Sequence, residues 1–266
     1  MLDGVLTAVT FTGADDSVAA ATMAAISEEH VAVEWGVLFS QHHVGPRFPS
    51  EHWLRGLQEV TESRPMKLCA HLCGGWVRDL AIEGEFTFRK TRWWGMFDRV
   101  QVNFHGEEHG DLGGLRRVLE EGGDLKPFIL QVDGVHDEAV RKLVEDFPGL
   151  VSPLFDLSGG AGVLPKEWPQ AWPGVACGYA GGLGSSNVQE QLAKIRQAAG
   201  AGDFWIDMER RVRSSDDSRF LLSEVAKVIE LLEREAAFPF GQHAAEVDDV
   251  GWAKIQDALG KPMPGR

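Results

Sequence analysis

The sequence predicts a single-domain α/β fold, a (β/α)8 (TIM) barrel, and three observations predict it. Its 266 residues are close to the roughly 250 typical of one such barrel. Short β-branched or apolar runs alternate with helical patterns, the sign of parallel βαβ units. Eight such runs follow one another with no reversal signal or second domain, so a closed barrel is more economical than an open doubly wound sheet.

The runs lie near Leu6–Thr12, Val31–Phe39, Lys67–Leu72, Arg99–His105, Phe128–Asp133, Val151–Leu157, Val175–Ala180 and Phe204–Met208. Between the first two, Ser17–His30 reads as a helix with Ser17 as N-cap. Ser50–Glu59 follows Pro49 and sets Trp53, Leu54 and Leu57 on one face, and Asp137–Phe147 spaces Val140, Leu143 and Val144 helically. Phe220, Val225, Val228, Ile229 and Leu232 form an apolar stripe suited to covering the last strand. Two segments exceed the repeat. Glu83–Asp98, with Phe86, Phe88, Trp93 and Trp94, is expected to be an ordered loop with a buried aromatic plug. The barrel then spans residues 1–266, with 239–266 as a C-terminal extension packing on it.

Charge narrows the partners. A formal charge of −14 gives no basic footprint for nucleic acid, and no apolar run approaches the ~20 residues of a membrane helix. The amino terminus lacks the pattern of a signal peptide, and the three cysteines Cys69, Cys73 and Cys177 cannot all pair, which fits a reducing cytoplasm. The expected partner is a small anionic molecule held by locally placed donors. No cofactor motif and no tight metal-ligand spacing is present, and nothing in the sequence sets the oligomeric state.

Side chains alternate along a strand, so one parity meets the helices and the other fills the barrel. The outward parity is apolar: Val9 and Phe11, Leu68 and Leu72, Val100 and Val102, Phe128 and Leu130, Phe204 and Ile206. The inward parity carries Thr10, Thr12, Glu34, Cys69, His71, Cys73, Gln101, Asn103, His105, Gln131, Asp133, Asp156, Asp207 and Glu209. Barrel interiors are usually filled by branched apolar side chains, and a buried unpaired polar group costs about 1–3 kcal/mol. These groups therefore either satisfy one another or line a pocket whose ligand supplies their partners. The strand-end members sit on the face where barrel enzymes keep their sites.

Five segments, in chain order, resemble phosphoribosylanthranilate isomerase. "GVLFSQHHVGPRFPSEHW" is similar to that family's second strand and its S-P-R-Y/F loop, which places Arg47 on the arginine that binds the anthranilate carboxylate. "RVQVNFHGEE" resembles V-Q-L-H-G-D-E with one extra residue and puts His105 on the active-site histidine. "LFDLSGGAG" resembles the strand carrying the general acid, here Asp156. "GYAGGLGSSNV" resembles the phosphate-binding A-G-G-L-x-x-x-N-V element, with Gly181 and Gly182 as the cradle, and "WIDME" resembles the V-D-V strand, with Asp207 touching substrate. Independently, Gly181-Gly182 followed by Ser185 before a helix would expose backbone N–H groups to an anion.

The sequence departs from that family at two places. Where the family has its general-base cysteine, "VTFTGADD" offers Thr12, whose hydroxyl is too weak an acid to serve. Where the family has a glycine after the eighth strand, this chain has "ERRVRSSDD": either Arg210, Arg211 or Arg213 replaces the backbone donors by charge, or the phosphate site is gone. Asp133 and His71 lead the candidates for the vacant base, ahead of Asp15, Asp16, Glu34 and Cys73. The sequence-level expectation is an isomerase-like acid–base enzyme acting on a phosphorylated or anionic sugar derivative by an Amadori-type shift. Its catalytic set is Asp156, Asp133 and His71, its substrate contacts are Arg47, His105, Asn103, Glu34, Asp207 and Glu209, and its phosphate contacts are Gly181, Gly182, Ser185 and Arg211. Two other readings stay open: a metal-dependent lyase or hydrolase using the interior histidines and carboxylates, and a non-catalytic ligand-binding barrel.

Overall fold

The computed structural model describes residues 4–43, 45–103 and 112–234. Eight parallel strands close into a barrel in which each pairs with its neighbours in chain order and β1 pairs with β8. They are β1 (Leu6–Thr12), β2 (Val33–Ser40), β3 (Lys67–Cys73), β4 (Arg99–Val102), β5 (Phe128–Val132), β6 (Val151–Phe155), β7 (Cys177–Ala180) and β8 (Phe204–Met208). The expected His105 end of the fourth strand and the expected extension at 239–266 lie outside the described residues. Among the described residues no helix is long and apolar enough to cross a membrane.

The helices are α1 (Ala20–Glu29), α2 (Glu51–Ser63), the single turn α3 (Gly75–Arg78), α4 (Gly113–Glu121), α5 (Asp137–Asp146), α6 (Val188–Ala199) and α7 (Leu222–Glu233). Ser50 caps α2 by accepting from the Trp53 N–H at 3.1 Å. Ser17 does not cap α1. That helix starts three residues later, and the Ser17 hydroxyl instead donates to Asp15 and accepts from the Phe220 N–H.

The parity of the strands divides the core as the alternation implies. Phe11, Trp35, Leu68, Val100, Phe128, Tyr179 and Ile206 pack outward against the helices in one large cluster. Inside the barrel a second cluster holds Ala8, Cys69, Ile129, Leu154, Ala180 and Trp205. Gly178 makes room for the Trp205 ring, since a Cβ there would stand 2.4 Å from it. The aromatic insertion before β4 is an ordered plug: Phe88 meets Phe39 at 4.8 Å and Trp76 at 5.5 Å between ring centroids, and Phe86 meets Phe128 at 5.4 Å.

The sixth repeat departs from the alternation, because no helix intervenes between β6 and β7. Pro165, Pro169 and Pro173 fall one helical turn apart and would each break an α-helix. Trp168 and Trp172 cover the barrel there instead, against Tyr179 and Phe155.

Candidate active site

The carboxy-terminal ends of the strands open into a cavity of about 630 Å³. Below it, Glu34 and Arg99 form a bidentate pair with both contacts at 2.7 Å, Thr10 donates to Glu34 at 2.7 Å, and the Arg99 guanidinium stacks 4.7 Å from the Trp205 ring. Glu34 is therefore not a substrate contact. Its oxygens are occupied by strand neighbours, and it does not line the cavity. Removing one partner of such a buried pair costs about 3–5 kcal/mol, which makes this layer structural.

One layer higher, β1, β3 and β8 bring together Thr12, His71 and Asp207. Thr12 Oγ1 donates to Asp207 Oδ1 at 2.7 Å and lies 3.5 Å from His71 Nε2. The small residue Gly36 permits this approach, since a Cβ there would lie 2.3 Å from Thr12 Oγ1. Burial drives the Asp207 carboxyl up to about 7; the Thr12 hydrogen bond opposes the rise, the Glu34 and Asp156 charges add to it, and Arg99 opposes it. Burial, helped by the Arg99 charge, pushes His71 down to about 3, so its imidazole is neutral and only weakly basic. Neither expected base keeps that role. His71 does not line the cavity, and Asp133 turns aside to accept from the Val135 and His136 N–H groups at 2.9 and 3.2 Å, holding the turn before α5.

Asp156 lines the wall at the end of β6. Its carboxylate accepts from Ser158 Oγ at 2.8 Å, Ser158 N at 3.2 Å, Gly160 N at 2.9 Å and Gln131 Nε2 at 3.3 Å. The same bonds fold the glycine-rich loop over the cavity. Asn103 lines the opposite side, accepting from Gln101 at 2.8 Å and donating to Cys73 Sγ at 3.4 Å. Burial raises the Cys73 thiol, so it is a poor nucleophile.

At the rim, Arg47 is already engaged. It pairs with Glu209 and, at 3.3 Å, with Asp217, while its backbone N–H donates to Asp15 at 2.9 Å. A substrate carboxylate would have to displace Glu209 to use it. Arg213, another candidate phosphate donor, is buried and clamps Gly13, Asp15 and Asp217. Asp15 is therefore no base: burial works against its charge, but donors from Ser17, Arg47 and Arg213 hold it below its ordinary value.

Gly181 and Gly182 line the cavity with φ of 112° and 65°. Asn187 fixes their turn by donating to the Gly182 carbonyl at 2.9 Å and accepting from the Gly184 N–H at 3.0 Å. Ser185 points away, donating to Glu224 on α7 at 2.6 Å. Arg211 lies on this rim beside the start of α6, 3.4 Å from Ser186 Oγ, and Arg210 donates to the Gly160 carbonyl at 3.1 Å. Neither arginine makes an ion pair among the described residues. Positive charge at a helix N-terminus is unfavourable unless an anion joins it, so this end of the cavity suits an anion. Among the described residues, no group of three or more His, Cys, Asp and Glu side chains is placed to hold a metal ion.

The cavity also involves residues that sequence reasoning missed. Arg78, Phe48 and the loop glycines Gly159 and Gly160 line it, and only the fold brings them there. His105 lies outside the described residues.

No family model and no curated protein matches the sequence. Among solved structures, the chain is similar to phosphoribosyl anthranilate isomerase from Thermotoga maritima, with a TM-score of 0.51 and 13% identity over 86% of this chain and 100% of that one. The shared feature is the fold. N-(5'-phosphoribosyl)anthranilate isomerase from Pyrococcus furiosus matches with a TM-score of 0.45 and 15% identity over 86% of this chain and 99% of that one. Phosphoribosyl anthranilate isomerase from Thermococcus kodakaraensis gives 0.44 and 15% over 85% and 99%.

Proposed function

We propose that the chain is an isomerase-like acid–base enzyme for a phosphorylated or otherwise anionic sugar derivative, with Asp207 as the group that carries the proton. The observation behind this reading is a buried carboxyl at the cavity floor whose pKa of about 7 lets it both take and return a proton near neutrality. Thr12, at the position of the missing cysteine, donates to that carboxyl. The base role has moved across to β8.

In the proposed step, Asp207 removes a proton from a carbon of the substrate. The C–H electron pair forms an enol or enamine double bond as the ring C–O bond breaks, and Asp156, entering the step protonated on Oδ2, gives that proton to the departing ring oxygen and is left as the carboxylate. Asp156 holds four hydrogen bonds, so delivering a proton from Oδ2 requires Gly160 or Gln131 to give way. The anion sits against Gly181, Gly182 and Arg211. The likeness to the Thermotoga maritima isomerase is compatible with this reading through the fold alone.

The test is solvent deuterium incorporation, followed by NMR, into a panel of aldose phosphates and N-glycosylamine phosphates. Wild type is expected to exchange at least one carbon-bound proton. Asp207→Asn should slow that exchange by roughly 10²–10⁴ while the fold, checked by circular dichroism, is retained. No exchange with any member of the panel, or undiminished exchange in Asp207→Asn, would overturn the proposal.

A further inference from the structure

We infer that the deep end of the cavity is built to receive a primary ammonium group, so that the substrate is an amine-bearing anion and not a simple sugar phosphate. The inference deepens the reading above and relies on it only for the anionic end.

Gln101 and Gln131 line the cavity and are 4% and 3% exposed, and the side-chain carbonyl of each has no hydrogen-bond partner. Gln131 turns its amide nitrogen to Asp156 Oδ2, which also accepts from the Gly160 N–H, and Gln101 turns its nitrogen to the Asn103 carbonyl, whose own amide faces Cys73. Two buried acceptors are thus left over among the lining residues, each stripped of water with nothing in return unless a donor arrives. Native interiors rarely leave such groups unmet, so a bound ligand is their natural partner.

The charges at the floor select the donor. Asp207 and Asp156 face the same space, and the cation beneath them, Arg99, is spent on both oxygens of Glu34. The groups that bear on Asp207 are Thr12, Glu34, Asp156 and Arg99, and the mutual repulsion of the carboxylates helps raise its pKa. An ammonium group brings three donors and one positive charge. Its donors and its charge match two leftover carbonyls and a carboxylate in number and sign, whereas a single hydroxyl offers one donor and no charge. The opposite rim, with Arg210 and Arg211 free of ion pairs among the described residues, has the reverse polarity. The cavity is electrically matched to a molecule negative at one end and positive at the other.

The experiment is calorimetric titration of the whole chain with ω-aminoalkyl phosphates of three to six carbons, matched ω-hydroxyalkyl phosphates and terminal-diol phosphates. The length series allows for the unknown span between the two ends. At one or more lengths the amine should bind about tenfold or more tightly than either partner, and Gln101→Met should shrink that margin while the fold, checked by its melting curve, persists. A hydroxyl or diol compound that equals or exceeds its amine at every length would overturn the inference. n-Butylamine against n-butanol probes the floor alone. If phosphates fail to bind but the amine still wins, the anionic reading falls and this one stands. If phosphates bind with no amine preference, the reverse holds.

Discussion

Thr12 places a single buried hydroxyl against Asp207, and that hydroxyl helps set the proton affinity of the carboxyl. Its hydrogen bond at 2.7 Å favours the charged carboxylate and so works against the rise that burial imposes. Thr12→Val is therefore expected to raise the Asp207 pKa by about one to two units, the scale of a hydrogen bond to a charged group. A carboxyl carbon NMR titration reads this directly, and an unmoved Asp207 would mean that the contact has no influence on the ionised form. At this scale the sequence was only partly legible. Strand parity identified Thr12, His71, Gln101, Gln131, Asp156 and Asp207 as inward, but parity gives no height along the barrel axis. His71 consequently shares the layer of Thr12 and Asp207 yet does not line the cavity. Asp133, just past the end of β5, turns into a local turn because two backbone N–H groups lie within its reach.

The turn between β7 and α6 shows how an element supplies what single residues do not. Asn187 fixes the turn from below, Gly182 lies close to the chain at 162–164, and Arg211 approaches the helix start from β8. Arg211→Met is expected to weaken inorganic phosphate binding by about tenfold or more and to leave stability within ~0.5 kcal/mol, because this side chain makes no ion pair among the described residues. Ser185→Ala should leave phosphate affinity unchanged, since that hydroxyl serves Glu224. Phosphate titrations of the two variants side by side test both statements. The glycines of this element were readable from the sequence, as was the apolar face of α2. The direction of Ser185 was not, because its partner lies 39 positions away on α7. The missing sixth helix was signalled by prolines at 165, 169 and 173, whose common spacing carries more information than any one of them.

For the whole molecule, two buried groups make stability respond to pH in opposite directions. Asp207 has its folded pKa raised to about 7 from 3.8, so its contribution is intact at low pH and is lost as pH climbs through that window. His71 has its folded pKa lowered to about 3 from 6.5, so its contribution is intact above the upper value and is lost as pH falls toward the lower one. Asp207→Asn removes the first effect and leaves the second. Its melting temperature relative to wild type should rise from pH 5 to pH 8, and a flat difference across that range would show that Asp207 does not titrate as assigned. The eightfold closure itself was the most legible feature of all, because it is written redundantly in every repeat, whereas the cavity depends on where eight separate strands stop.

The hydrogen bond from Thr12 to Asp207 has a further consequence for how activity is acquired during folding. Its two residues are 195 positions apart and belong to the first and last strands, and the nearby clamp from Arg213 to Asp15 spans 198. Both contacts cross the seam where the sheet meets itself, so neither exists until the final strand docks against the first. Bringing such distant segments together is a late and slow event in a folding chain. A nascent or half-length barrel can therefore be compact and well packed yet chemically silent. The Thr12–Asp207 contact comes into being only when the ring is complete.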